Sequence, residues 1–230
     1  MATRTIDKLG DSESLSEALV AGTADVQAAI WQHPWVQSFA DGTLPDQAFI
    51  NWVGQCGLFI SMERTALLVV RSYVQPGELD ELLARLVADA ASEPGQLAEQ
   101  LVELGAPVPT QPWPACLGYG SYLQVCAHGG LVKGLTAVHA ADSFYLNTWS
   151  RLLESCRPGS RYRSLVQSWG GDEYGEVVDG LSACLDREAG PPSVETLAEL
   201  EPIYRNVALW ELGFWEMCWS GQTWPELQAR

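Results

Sequence analysis

The chain has 230 residues, 47% hydrophobic and 18% charged, a balance that excludes a disordered polymer and supplies apolar mass for a substantial core. Twenty-nine acidic residues against 13 basic ones give a formal net charge of -16. With no basic stripe, a nucleic-acid partner has no electrostatic footprint.

Helical periodicity recurs along the chain, and strand alternation never persists. Residues 1–13 read as a flexible tail. The opening stretch MATRTIDKLGDSESLSEALV has no apolar run of signal-peptide length. No later segment reaches the roughly 18 apolar residues of a membrane span, so a cytoplasmic protein with no membrane partner is expected. Ser14 to His33 forms a first helix with Leu15, Leu19, Val26 and Ile30 inward, ended or bent where Pro34 disfavours helix at His33. A turn, DGTLP, leads into a helix that starts near Pro45 and runs to about Val74. Its apolar face carries Phe49, Trp52, Val53, Cys56, Phe59, Ile60 and Leu67. Glu78 to Leu104 follows, with a kink expected at Pro94. After the connector APVPTQPWP come Ala115 to His128, Leu131 to Ser155, Ser160 to Trp169, Tyr174 to Arg187 and Val194 to Trp219, separated by glycine and proline pairs. The expectation is an all-α, single-domain bundle of about eight helices over residues 1–230. Six scattered cysteines without a CxxC pair read as free thiols rather than a zinc site.

Bundles build ligand sites from side chains projecting inward, so polar residues on apolar stripes are the candidates. Glu211 shares a face with Leu200, Tyr204, Val207, Phe214 and Cys218. There it is either an interhelical hydrogen-bond partner or a carboxyl whose pKa burial raises toward that of a general acid or base. Asp142 lines up with Val138, Tyr145 and Trp149, either to bind a polar heterocycle or to satisfy a neighbour. His139 beside it reads as a half-exposed histidine. Tyr119, flanked by glycines, protrudes into a cavity or allows close helix packing. Trp169, ahead of Gly170-Gly171, caps a pocket or a helix end. Cys56 alone reads as a core thiol. The three histidines, none following a glutamate by three residues, do not make a di-iron ligand set. No metal is expected.

Several of these segments together resemble the TenA/thiaminase II family: HPWVQSFADGTLPDQAFINWVGQ at 33–55, YGSYL at 119–123, SWGGDEYGEVV at 168–178 and ELGFWEMCWSGQTWP at 211–225. The resemblance spans roughly 30–225. It implies a haem-oxygenase-like helical fold, a homo-oligomer (dimer or tetramer), and a deep pocket that cleaves thiamine-derived aminopyrimidines without a cofactor. Carried over by position, it makes Glu211 the proton-handling glutamate and Tyr119 a pocket tyrosine. Trp169 stands where a tyrosine is usual and Tyr145 keeps an aromatic. The usual nucleophilic cysteine falls at Ala141, and Asp142 resembles the acidic residue of a cysteine-free branch. The usual pyrimidine-gripping aspartate falls at Cys56, and a tyrosine three positions on is Phe59.

The expectation is therefore an enzyme with a retuned pocket, acting on a small heteroaromatic or amine-bearing molecule by hydrolytic C–N cleavage. Its setting is thiamine salvage or specialised metabolism. Glu211 and Asp142 are the catalytic candidates; Cys56, Trp52, Phe59, Tyr119, Tyr145 and Trp169 are the substrate-binding candidates. Cys56 is an apolar replacement or a relocated nucleophile, and the surrounding carboxylates oppose the second because they disfavour a thiolate. Alternatives are a non-catalytic binding homologue and an oxidative or cyclising enzyme on the same fold.

Overall fold

A computed structural model describes residues 14–155 and 163–225. The expected tail at 1–13, the start of the expected helix at 160 and Cys156 lie outside the described residues. Among the described residues there are ten helices: α1 (Leu15–Ala21), α2 (Ala24–Trp31), α3 (Pro34–Asp41), α4 (Asp46–Arg71), α5 (Glu78–Glu103), α6 (Pro114–His128), α7 (Leu131–Ser155), α8 (Arg163–Gly170), α9 (Asp172–Ala189) and α10 (Val194–Ser220). The all-α class expected from periodicity is the one observed.

Two local features raise the count from eight. Gly22 and Thr23 divide the first expected helix into α1 and α2, and the Thr23 hydroxyl donates to the Val20 carbonyl at 2.9 Å. Residues 34–41 then form a helix of their own. The His33 side chain accepts from the Trp35 amide, Pro34 occupies the first turn, and Gly42 ends the helix in the left-handed region at φ 72°. Ser14 and Glu17 form a reciprocal capping box on α1, and Ser193 caps α10 by accepting from Thr196 N. Pro94 lies inside α5, which continues to Glu103.

α4 packs mainly on α5 and α6, whereas α7 packs on α8, α9 and α10. Of the described helices, only α4 is long and apolar enough to cross a membrane by composition, yet its Trp52, Val53, Ala66 and Val70 are core residues of the bundle. Between these two groups lies an indole cluster. Trp35, Trp52, Trp149 and Trp215 are fully buried, with Trp35–Trp215 centroids at 4.6 Å and Trp52–Trp149 at 5.3 Å. Such pairs add about 0.5–1.5 kcal/mol each beyond the area they bury, so the cluster is a rigid floor for whatever is built on it. The five described cysteines at 56, 116, 126, 184 and 218 are free and buried.

Candidate functional site

A cavity of about 330 Å³ opens beside the indole cluster, lined from six of the longer helices and from α8. From α4 come Cys56, Phe59, Ile60, Glu63 and Leu67, whose spacing of three and four puts them on one face. α5 and α9 close the other side with Glu93 and Tyr174. Tyr119 of α6, Asp142 and Tyr145 of α7, Trp169 of α8, and Glu211 and Phe214 of α10 complete the polar and aromatic lining. The structure thus brings together seven of the eight expected site residues. Trp52 is the exception: it is fully buried and does not line the cavity. Its face of α4 points into the indole cluster, against Trp35, Phe49 and Trp169. Trp52 supports the wall from behind.

Glu211 is 4% exposed. Burial pushes its pKa up to about 7, against the lowering influence of the Tyr119 hydroxyl and the Trp215 indole N–H. Both groups lie near the carboxyl, but neither completes a hydrogen bond of normal geometry. The cost of burial therefore wins. Asp142 is in a comparable state: burial raises it to about 7, opposed by Tyr174, whose hydroxyl donates to Oδ1 at 2.6 Å. That short contact is of the charge-assisted kind and fixes the carboxyl in place.

Four further carboxyls belong to the lining, Glu63 and Glu93 together with Asp89 and Glu173. Glu63 is raised well above the usual carboxylate range, first by burial and then by Asp142, Glu93 and Glu211. Glu93 is raised by burial and by Asp89, with Trp169 lowering it. The cation at this site, Arg85, stands at the rim and is engaged with Glu173 at 3.0 Å and Asp89 at 3.9 Å. Glu63, Glu93, Asp142 and Glu211 thus share a poorly solvated space in which, among the described residues, Arg85, held at the rim by Glu173 and Asp89, is the one lining cation. Among the described residues, no group of three or more His, Cys, Asp or Glu side chains has the geometry to hold a metal ion.

The Cys56 thiol lies 3.7 Å from the Tyr145 hydroxyl. Burial and the Glu93, Glu211 and Glu63 carboxyls hold it well above the usual thiol range, outweighing the lowering contact from Tyr145. A thiol in such surroundings stays protonated, so its place in the cavity is that of a small apolar group. Ala141 also lines the cavity and offers no nucleophile. The aromatic walls meet edge to face, Tyr145 with Trp169 at 5.6 Å, while Phe59 and Tyr119 lie 4.4 Å apart and tilted.

His139 lies elsewhere. It is buried rather than half-exposed, with Nε2 2.8 Å from the Ser182 hydroxyl, and burial lowers its pKa to about 4. Glu63, Glu93 and Tyr174 were not among the expected site residues. Glu63 stands four residues after Phe59 on the same face, so the α4 stripe itself carried the signal. Glu93 similarly continues the Leu86–Ala90 row of α5, and Tyr174 lies in the SWGGDEYG segment.

The TENA/THI-4/PQQC family model matches residues 20–221. The chain belongs to this family. Over 221 residues it is 25% identical to the aminopyrimidine aminohydrolase of Halalkalibacterium halodurans, covering 92% of this chain and 98% of that protein. The TenA homologue of Pyrococcus furiosus superposes with a TM-score of 0.82 at 20% identity, over 88% of this chain and 98% of that one. A haem-oxygenase-like domain from Shewanella denitrificans superposes at 0.65 with 14% identity, over 92% and 94%. The TenA-like, haem-oxygenase-like fold expected from the motifs is therefore the fold of this protein.

Proposed function

We propose that this TenA-family protein is a hydrolase that cleaves a C–N bond in a small heteroaromatic or amine-bearing compound. One observation carries the reading: the Glu211 carboxyl, 4% exposed on the wall of an aromatic chamber, has a pKa raised to about 7. A group with that pKa can take and return a proton near neutrality, which is what general acid–base catalysis requires. With alanine at 141 and a protonated thiol at 56, the nucleophile is water. Ionised Glu211 removes a proton from water as its oxygen bonds to the carbon bearing the leaving nitrogen. In a heteroaromatic ring the C=N π pair moves onto the ring nitrogen and returns when the leaving nitrogen departs. The resulting acid then protonates that nitrogen, which departs as the C–N bond breaks. An amine and water become an alcohol, or its ring tautomer, and ammonia. Asp142, held by Tyr174, positions the water or an amino group. Tyr119, Tyr145, Trp169 and Phe59 form flat walls suited to a ring.

Family membership and the aminopyrimidine aminohydrolase relative support this reading, with thiamine-derived pyrimidines as the first compounds to try. The test is ammonia release from a panel of aminopyrimidines and other heteroaromatic amines. Glu211→Gln is expected to lower turnover at least about 100-fold while binding persists. A second reading, a binding protein without turnover, is favoured by Ala141 and by the protonated Cys56. Saturable binding without ammonia release from any member of the panel would establish that second reading in place of the first. The proposal also takes the protein to be a cytoplasmic homo-oligomer, the assembly being checked by light scattering on purified protein.

A further inference from the structure

Each carboxyl in the chamber has a different local environment. Asp142 receives the Tyr174 hydroxyl, Glu93 is lowered by Trp169, and Glu211 is near Tyr119 and Trp215. Glu63 has no hydrogen bond or ion pair among the described residues, and acidic groups surround it. The Tyr119 hydroxyl, on a residue 1% exposed, also lines the chamber and has no hydrogen-bond partner. A buried hydroxyl and a carboxyl left without partners are costly unless something occupies the space between them.

A second depression of about 290 Å³ adjoins the first. It is lined by α5 residues, including Glu99 and Glu103, and shares Glu93 and Trp169 with the chamber. Glu93 therefore faces both spaces, and among the described residues no basic one lines the outer space. An acidic vestibule runs past Glu93 to an acidic chamber with aromatic walls. Carboxylates backed by aromatic rings recognise ammonium-type nitrogen, the rings contributing through their negative faces. A single positive charge compensates only one of these carboxylates, and the others must then keep a proton.

We propose that the ligand is an elongated organic dication. One basic nitrogen lies inside the chamber at Glu63, and the second lies at Glu93, where chamber and vestibule meet. This rests on the reading of the chamber as the substrate site and specifies the substrate class within it: a diamine whose two basic nitrogens are separated by several bonds. Glu63 and Glu93 are then specificity determinants, while Glu211 keeps its role in proton transfer.

Calorimetric titration with α,ω-diaminoalkanes of four to eight carbons, against alkylamines of the same length, tests this without requiring turnover. At least one diamine is expected to bind about tenfold or more tightly than its matched monoamine, a charge-assisted contact being worth about 1.5–3 kcal/mol. Glu93→Gln should remove that advantage by lowering diamine affinity more than monoamine affinity. Glu63→Gln should weaken both series. The carboxamides keep the shape and remove the charge, and thermal unfolding of each variant confirms the fold. Equal affinity for diamines and monoamines overturns the proposal, as does an advantage that survives Glu93→Gln. Ammonia release without preference for dications would defeat this inference and leave the hydrolase reading intact; tight diamine binding without ammonia release would do the reverse.

Discussion

At position 56 a thiol occupies the wall of a site and is still not a nucleophile. Its surroundings are acidic and apolar, the opposite of what stabilises a thiolate. Cys56→Ala is therefore expected to retain turnover within about threefold, since it removes only a small apolar group. A loss of two orders of magnitude, or rapid alkylation of Cys56 by iodoacetamide at neutral pH, would contradict that assignment. Tyr174 makes the complementary case. Its hydroxyl holds Asp142 below the value burial alone would impose, so Tyr174→Phe should raise the Asp142 pKa above about 7. The change is read in the pH dependence of ligand binding, whose acidic limb should move upward. An unmoved limb would mean that Asp142 does not contribute to binding. Glu211 and Asp142 were legible as inward-facing from helical spacing, and Tyr119 from the glycines on either side of it. The pairing of Asp142 with Tyr174 was not, because that partner comes from another helix.

Individual helices differ in how much their sequence disclosed. The α4 stripe predicts its face well, and Cys56 and Phe59 reach the chamber as expected. Trp52 does not, because a position on the same broad stripe faces the indoles of α3, α7 and α10 instead. Glu63 and Glu93 were not placed among the site residues for a related reason. A carboxylate on an amphipathic helix normally faces water, and only the packing of α4 against α5, and of α5 against α9, encloses these two. The division at Gly22–Thr23 and the short α3 depend on caps that periodicity over a longer window averages away.

The junction after α8 is a place where geometry tolerates almost no change. A Cβ on Gly170 would run into the carbonyl of Trp149 and come within 2.9 Å of the Ser150 amide nitrogen, both of them backbone atoms that cannot turn aside. Gly170→Ala should cost about 1–3 kcal/mol through overpacking and displace the neighbouring Trp169 from the chamber wall. Thermal unfolding should register a fall of several degrees, at about 2–4 °C per kcal/mol for a chain of this size. Ligand affinity should fall with it. A variant with unchanged melting temperature and affinity would show that α7 and α8 are not locked together there.

For the whole molecule, the enclosed carboxyls link stability to pH in a direction opposite to ordinary surface ion pairs. Asp142 and Glu211 have folded-state pKa values of about 7, above their ordinary 3.8 and 4.5, so the folded chain binds protons more tightly than the unfolded one. Their contribution is complete below about pH 4 and is lost as pH rises through 7, each group being worth on the order of 3 kcal/mol. Asp25 and Asp80, lowered by Arg205 and Arg71, act in the reverse sense and only under acid conditions. The ligand-free protein should therefore melt several degrees higher at pH 5.5 than at pH 8, and Glu211→Gln should reduce that difference. A melting temperature that rises steadily over this interval would count against enclosure.

The bundle and its family were legible at this scale because end motifs and periodicity extend over most of the chain. The acidity of the chamber was not, because a formal charge of -16 gives no indication of which carboxylates face inward. Carbon-13 titration of the side-chain carboxyls, assigned with Glu211→Gln and Asp142→Asn, measures that property directly. Glu211 and Asp142 should both titrate near 7 in the ligand-free protein. Titration of either at the ordinary carboxylate value would mean that it is solvated, and the acid–base role proposed for the chamber would be contradicted.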